Sequence, residues 1–211
     1  MEDKLFKYGV FTKNRVETFS DGIFAIIVTL LILEIKVPHI EHGASVPELL
    51  NAIRSLLPKF VSWVISFLTI CIVWVNHHRL FETFKGINIV LFWLNVHLLL
   101  WVCFVPFPTA LIGDYPHNPL AVAFYGVVMS LIGLSFFIAR LYGLRNQQLL
   151  KDAMNLKAYK KGVVFAFFFG FLFYFAAASL AWVNPYLSFT AYFLIAMYFV
   201  FSFATKKLHT T

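Results

Sequence analysis

The sequence carries little charge. Of its 211 residues only 13% are Asp, Glu, Lys or Arg, whereas 61% are hydrophobic and the mean hydropathy is +0.80. Soluble domains carry about 25% charged residues, so the composition excludes an ordinary soluble protein. The 26 Phe and 5 Trp residues suit lipid-facing surfaces and interfacial belts. The composition therefore predicts an integral membrane protein.

Motifs of catalysis, metal binding and phosphate binding are also missing. The two cysteines, Cys71 and Cys103, lie in apolar stretches without a pairing pattern or metal-site spacing. No His-Glu-x-x-His, no Ser-His-Asp order and no glycine-rich phosphate loop occurs, so we expect no metal, no cofactor and no enzymatic activity. The net charge of +7 fits cytoplasmic loops beside anionic lipid, and we expect no nucleic-acid partner.

Apolar runs of the length that crosses a bilayer, about 20 residues, are abundant. They predict an all-α fold with six transmembrane helices at 16–35, 58–78, 87–112, 120–142, 162–183 and 186–205. We expect a single domain of six transmembrane helices, 16–211, after a cytoplasmic lead, 1–15. Pro106 and Pro108 should perturb the third span, and 145–161 should be a polar linker. Ser45-Val-Pro-Glu48 predicts a capping box that opens a short helix on the membrane surface.

The Lys and Arg residues are distributed unevenly between the two sides of the membrane. With six spans, only Lys36, Arg54 and Lys59 of the 17 fall on one side. Cytoplasmic loops are the ones that carry an excess of Lys and Arg. The distribution therefore predicts that both termini are cytoplasmic.

The first span has an aliphatic line and a polar corner. At about 100° per residue, the line consists of Ile26, Leu30 and Leu33, bordered by Thr29. Ser20 and Asp21 point roughly 120–140° away from it. A carboxylate inside a membrane needs a partner or a cavity, so the rest of the subunit should satisfy this corner. The line could meet copies of itself, although ordinary helix packing is the simpler interpretation from the residues alone.

Three motifs resemble one known family. Arg15-x-x-x-Phe19-Ser20-Asp21 opens the first span, Trp-Val-Asn-His-His-Arg-Leu-Phe occupies 74–81, and Phe-Val-Pro-Phe-Pro-Thr occupies 104–109. In this order, inside six predicted spans, they resemble the endolysosomal potassium channel family, which is transmembrane protein 175 and its prokaryotic relatives. A single six-span unit resembles the prokaryotic members, and this implies a location in the cell membrane.

The resemblance implies a potassium-preferring cation channel that conducts passively. It implies a homotetramer in membrane lipid, with four copies of the first span around a central pore for monovalent cations. By this resemblance Ile26 forms the narrowest hydrophobic constriction and the gate. Leu30 and Leu33 form further rings, and Thr29 offers hydroxyl groups beside the path of K⁺. Closed rings of aliphatic side chains can gate by dewetting.

Polar residues near the cytoplasmic ends of the first three spans lie at one depth. They are Ser20, Asp21, Trp74, Asn76, His77, His78 and Asn88. We expect a satisfied cluster in which Ser20 and Asp21 accept hydrogen bonds from Trp, Asn and His donors. The resemblance adds Arg15 and Phe19 to this structural network.

Two other interpretations of the cluster stay open. A proton relay between Asp21 and His77 would make the protein a proton-conducting or proton-coupled transporter. A membrane enzyme could instead use His77, His78 and Asp21 as its polar site. His97, in the middle of the third span, is more simply a hydrogen-bonded core residue.

The potassium-filter sequence Thr-Val-Gly-Tyr-Gly and any glycine-rich re-entrant loop are absent. Selectivity would then depend on the width of the constriction and on Thr29, which suggests modest discrimination between K⁺ and Na⁺. Glu34, near the outer mouth, would either concentrate cations or be a solvated charge at the end of the helix.

Overall fold

The structure, a computed structural model, describes residues 12–40 and 45–207, with side chains described as far as Phe199. Within these ranges the chain is almost entirely helical, and a bridge between Phe84 and Leu150 is the one sheet-type pairing. The α-helices of these ranges are α1 (Lys13–Leu30), α2 (Val46–Ser55), α3 (Leu57–Phe81), α4 (Ile89–Phe104), α5 (Pro106–Asp114), α6 (Pro119–Arg145), α7 (Leu156–Phe165), α8 (Phe173–Ser179) and α9 (Pro185–Lys207).

The helices combine into membrane-spanning lengths. Five stretches are long and apolar enough to cross a bilayer: Lys13–Glu34, Leu57–Phe81, Ile89–Asp114, Pro119–Arg145 and Leu156–Trp182. α9 follows with 23 residues, and its apolar part is Pro185–Phe199. The predicted fold class, an all-α integral membrane protein, is therefore confirmed.

α1 begins after Thr12, whose hydroxyl oxygen accepts a hydrogen bond from the Arg15 N–H at 3.4 Å. Such a side chain satisfies one of the free donors at the start of a helix. α1 packs on α3 and α4, then tightens into a 3₁₀ turn, Leu31–Glu34, and ends at the extended residue Ile35. Its C-terminal end is thus marked by a change of backbone conformation.

The short helix α2 starts with the expected capping box. The Glu48 carboxylate accepts hydrogen bonds from the hydroxyl and from the backbone N–H of Ser45, each at 2.7 Å. These two bonds hold the pKa of Glu48 below its ordinary value. None of the residues of α2 is buried, so its apolar residues Leu49, Leu50 and Ile53 remain free to face a membrane surface.

Proline divides the third span, as predicted. α4 ends at Phe104 and α5 starts at Pro106, the first helical position. Proline lacks a backbone N–H and is favoured there, whereas inside a helix it removes a hydrogen bond and clashes with the preceding turn. The same span therefore crosses the membrane as two helices in series.

α6 is the central helix of the bundle. In its most apolar window 67% of the residues are buried, against 28–39% in the other four spans. α4, α5 and α8 all pack on it. The remaining helices therefore form a layer around α6, with more of their surface left for lipid or for other subunits.

The fifth span begins earlier than predicted, within the expected linker 145–161. Asn155 caps it, because its side-chain oxygen accepts the Ala158 N–H at 3.1 Å, and α7 starts at Leu156. The span then widens into a π-helical segment, Ala166–Leu172, before α8. There the backbones nearly touch, since a Cβ at Gly133 of α6 would lie 1.9 Å from the Gly170 carbonyl oxygen.

The uncovered face of the first helix and its polar anchor

One face of α1 is left uncovered by its own subunit. Leu33 is 63% exposed, Ile26 57% and Leu30 41%. Phe19, near the start of the helix, lies on the same exposed face. The opposite face is buried and consists of Val16, Ser20, Phe24 and Ile27, followed by Leu31. α1 is therefore attached to the bundle along one side only.

Thr29 lies on the exposed face with its hydroxyl turned back to its own helix. Its Oγ1 donates to the carbonyl oxygen of Ile26 at 2.8 Å and lies 3.2 Å from that of Ala25. A hydroxyl group has one hydrogen and two lone pairs. Because the hydrogen is used by the backbone, the oxygen is left as an acceptor on this face.

Asp21 contacts two side chains of α3. The Trp74 Nε1–H donates to Asp21 Oδ1 at 2.9 Å, and His78 Nδ1 lies 3.9 Å from the same oxygen. The rings of Trp74 and His78 are 4.8 Å apart. Asp21 and His78 are each 42% exposed, so their contact contributes little to stability by itself. It fixes the position of the first turns of α1 against α3.

A second, fully buried group of contacts joins three helices. The Asn95 amide of α4 donates to Ser20 Oγ at 3.0 Å, and its oxygen accepts from His77 Nε2 of α3 at 2.8 Å. Ser20 Oγ in turn donates to the Val16 carbonyl at 2.8 Å. Each member is nearly inaccessible to solvent. Removing one therefore leaves a buried polar group without its partner.

The environment of His77 fixes the role of each ring nitrogen. Nε2 faces the oxygen of Asn95 and so carries the hydrogen. Nδ1 is buried with no hydrogen-bond partner among the described residues. The ring stacks on Phe81 at 4.3 Å and meets the edge of Phe24 at 5.5 Å. His77 is thus held as a neutral donor between aromatic rings.

The other residues expected in this cluster lie outside it. Arg15 is exposed, and its guanidinium takes no part in these hydrogen bonds among the described residues. Asn76 points to the other side of α3, into a cleft with Arg79. Asn88 caps α4 by accepting the Leu91 N–H at 2.9 Å and donates to the Tyr142 hydroxyl at 2.7 Å. Asn88 thus lies at the start of α4, as expected, but it contacts Tyr142 of α6 instead of Ser20 or Asp21.

Sequence reasoning missed Asn95, which bridges Ser20 and His77. It lies in the apolar sequence of α4, two residues before His97, and the only signal was the presence of a polar residue within that sequence. A second missed group surrounds Thr109, whose Oγ1 lies 2.7 Å from Ser66 Oγ, which bonds to the buried Tyr125 hydroxyl at 3.2 Å. It ties α3, α5 and α6 together.

His97 is held by two neighbours within the bundle. Trp101 Nε1–H donates to His97 Nε2 at 3.2 Å, so the hydrogen of the neutral ring is on Nδ1, which lies 3.0 Å from Ser135 Oγ. Ser135 passes its own hydrogen to the Leu131 carbonyl at 2.8 Å. These contacts account for both nitrogens of the ring.

The fold and these contacts define a helical membrane protein that leaves one face of a well-anchored first helix uncovered. The family model described as endosomal/lysosomal potassium channel TMEM175 matches residues 15–106. A protein of Chryseobacterium sp. (strain P1-3) named potassium channel is 35% identical over 191 residues, which cover 88% of this chain and 91% of that protein. A Streptomyces collinus protein of the same description is 35% identical over 193 residues, 90% and 92% of the two chains.

Solved structures show the same architecture. A crystal structure described as a lysosomal potassium-selective channel TMEM175 homolog from Chamaesiphon minutus superposes with a TM-score of 0.77 at 32% identity, covering 90% of this chain and 97% of that one. This chain belongs to the TMEM175 family. The resemblance in the three motifs is thereby confirmed, and the family is one of channels, not of enzymes.

Animal members of the family are more distant. The Danio rerio protein named endosomal/lysosomal proton channel TMEM175 is 28% identical over 146 residues. The match covers 69% of this chain and 28% of that protein. The bacterial relatives are therefore the better guide to this chain.

Proposed function

We propose that this chain is a subunit of a passive, potassium-preferring cation channel of a prokaryotic cell membrane. Two bacterial relatives at 35% identity, over nearly the full length of both chains, are named potassium channels. The Chamaesiphon minutus homologue, whose crystal structure superposes with a TM-score of 0.77, is described as potassium-selective. We assign residues 16–211 to one six-helix channel domain and residues 1–15 to a cytoplasmic lead, with both termini in the cytoplasm.

The exposed face of α1 is the observation that carries this proposal. A helix that is bound on one side and uncovered on the other can line an axis shared by several subunits. In a homotetramer, four such faces would surround a central pore, and Ile26, Leu30 and Leu33 would form successive rings. The same arrangement would remove these side chains from lipid.

Ile26 is the proposed gate of this pore. It is exposed between Gly22 and Leu30 on the pore-facing line, and a ring of four isoleucines would exclude water when narrow and admit ions when dilated. Small movements of α1 relative to its anchor, which is formed by the contacts of Ser20 and Asp21, would then widen the ring and allow conduction. Thr29 would offer its free lone pairs to a cation that has lost part of its hydration shell.

The anchor holds α1 at two points in this scheme. Ser20 is tied to Asn95 and His77 inside the bundle, and Asp21 is tied to Trp74 and His78 at its surface. These contacts face away from the proposed pore. Their role in the proposal is to set the rotation of α1, and hence the width of the Ile26 ring.

Proton conduction through Asp21 and His77 is the competing proposal, since animal relatives are named proton channels. A relay needs groups that can both gain and lose a proton along a continuous path. Here Asp21 contacts Trp74 and His78, whereas His77 contacts the amide of Asn95. Among these partners only the His78 imidazole exchanges protons readily, and neither ring nitrogen of His77 is hydrogen-bonded to it in the described part of the chain. This geometry therefore favours a structural role.

The experiment is a reversal-potential measurement on purified protein in planar bilayers, in gradients of K⁺, Na⁺ and protons. We expect a potassium-leaning reversal potential and a severalfold larger conductance in Ile26→Ala, because the smaller side chains leave a wider ring, which dewets less readily. Ile32→Ala is the matched control, since Ile32 is exposed on the same helix but off the proposed line.

The outcome separates the two proposals. A current that follows only the proton gradient and disappears in Asp21→Asn would establish the relay and remove the potassium assignment. Equal effects of Ile26→Ala and Ile32→Ala would remove Ile26 from the gate. A potassium current that survives Asp21→Asn in assembled protein would support a structural role of Asp21.

A further inference from the structure

A cleft opens on the side of α3 opposite to the Asp21 contact. It has a volume of about 520 Å³ and lies between α3, α6, the fifth span and α9. Its polar lining is Asn76 and Arg79 of α3, Arg140 of α6 and Lys161 of α7. The Gly133–Gly170 contact lies at its inner end. The cleft is thus a gap between helices with basic side chains from three of them.

The charge of the cleft is entirely positive. In the described part of the chain no acidic residue lines it, and Arg79 and Arg140 are close enough to repel each other. Three described carboxylates, those of Glu17, Asp114 and Asp152, lie in ion pairs away from the cleft. Arg140 and Lys161, which lie at one half-buried space, match an anionic ligand that could pair with both cations.

The surface beside the cleft is suited to an amphiphile. A shallow depression next to the cleft also includes Lys161. Lys157 and Lys160 line it together with the side chains of Phe165 and Phe169. Phe168 of the same segment is 51% exposed. Cationic groups at one level with an apolar surface next to them match the headgroup and the acyl chains of a phospholipid.

We propose that this cleft binds the phosphate headgroup of an anionic phospholipid from the cytoplasmic leaflet. Arg140 and Lys161 hold the phosphate, Asn76 donates to its oxygens, and the acyl chains run along the exposed phenylalanines of the fifth span. The leaflet follows from the position of the cleft, at the membrane side where basic residues are concentrated. A basic pocket between transmembrane helices on this side is typical of sites for anionic headgroups.

Gly162 keeps the cleft open. A Cβ at this position would lie 3.2 Å from Arg140 Nη1, so a larger side chain would occupy the space next to the guanidinium. Gly162→Leu therefore obstructs the proposed site without removing a charge. It provides a second variant that is independent of the loss of any basic residue.

The test measures lipid binding to the purified protein in detergent by native mass spectrometry, with phosphatidylglycerol and phosphatidylcholine of the same acyl chains. We expect tighter binding of phosphatidylglycerol to the wild type, and a loss of about tenfold or more in Arg140→Gln/Lys161→Gln. Gly162→Leu should lose phosphatidylglycerol to a similar degree. Arg145→Gln/Lys151→Gln, which removes two charges outside the cleft, should bind like the wild type.

Contrary results are equally clear. Equal binding of the two lipids, or equal losses in the cleft and control variants, would overturn the site. If Arg140→Gln/Lys161→Gln does not fold, normal binding by Gly162→Leu would overturn it. If soluble glycerol phosphate displaces phosphatidylglycerol at a concentration on the order of that of the lipid, the ligand of the cleft is a soluble phosphate ester and not a lipid. Because binding is measured without current, the outcome is independent of the proposed channel activity.

Discussion

Asn95 shows how one side chain can fix the position of a helix. Its amide has a donor side toward Ser20 and an acceptor side toward His77, so it orients both partners at once. No charged group is involved, and the whole contact is buried. Neutral hydrogen bonds of this kind keep their strength when salt is added, whereas salt screens the attraction between exposed charges.

Asn95→Ala should therefore destabilise the protein. It leaves the Ser20 hydroxyl without one donor and the His77 Nε2–H buried without an acceptor, at a cost of about 1–3 kcal/mol for each unsatisfied group. We expect a lower thermal midpoint in detergent by tryptophan fluorescence or size-exclusion after heating. Asn14→Ala, at an exposed position in the first turn of α1, is the control. Similar midpoints for the two variants would contradict the structural role of the contact.

At the scale of elements, the sequence predicted where helices lie better than how they meet. Hydrophobic length located the spans, and Pro106 located the break between α4 and α5. Contacts between helices depend on the rotation of each helix, which a single sequence does not encode locally. Asn95 and Asn88 illustrate this, since both are on α4 and only the first faces Ser20. The π-helical segment had no sequence signal beyond Gly170 in a run of phenylalanines.

The contact between α6 and the π-helical segment gives a prediction at this scale. Gly133→Ala puts a Cβ within 1.9 Å of the Gly170 carbonyl oxygen, and backbone atoms cannot move aside cheaply. We expect destabilisation of about 2–3 kcal/mol or more, seen as a lower thermal midpoint in detergent. Gly86→Ala is the matched substitution, because nothing lies within 4 Å of a Cβ there. An unchanged midpoint in Gly133→Ala would show that the two helices separate without cost.

For the whole molecule, α3 connects the features described above. One side of its C-terminal half binds Asp21 through Trp74 and His78, and the other side contributes Asn76 and Arg79 to the basic cleft. The proposed pore face and the proposed lipid site are thus separated by a single helix. The position of α3 therefore affects both the pore face and the lipid site.

The proposed assembly predicts which exposed positions meet in the oligomer. With Cys71 and Cys103 replaced by alanine, Leu33→Cys should form disulfides between subunits under mild oxidation, because its ring would surround the axis. Trp182→Cys, 67% exposed at the outer end of the fifth span, should not. Denaturing gel electrophoresis without reductant reads the result. Cross-linking through Trp182→Cys alone would place the subunit interface on the opposite side of the bundle.

The π-helical segment Ala166–Leu172 also bears on how the chain can change in length. Each wide turn accommodates one residue more than an α-helical turn of the same rise. Deleting one residue here would restore a regular helix and leave Tyr174 and Ala177 buried, as they are now. Elsewhere in a span the same deletion would rotate everything beyond it by about 100°. This turn is therefore the place in the bundle where a single-codon deletion could be inherited without loss of the fold.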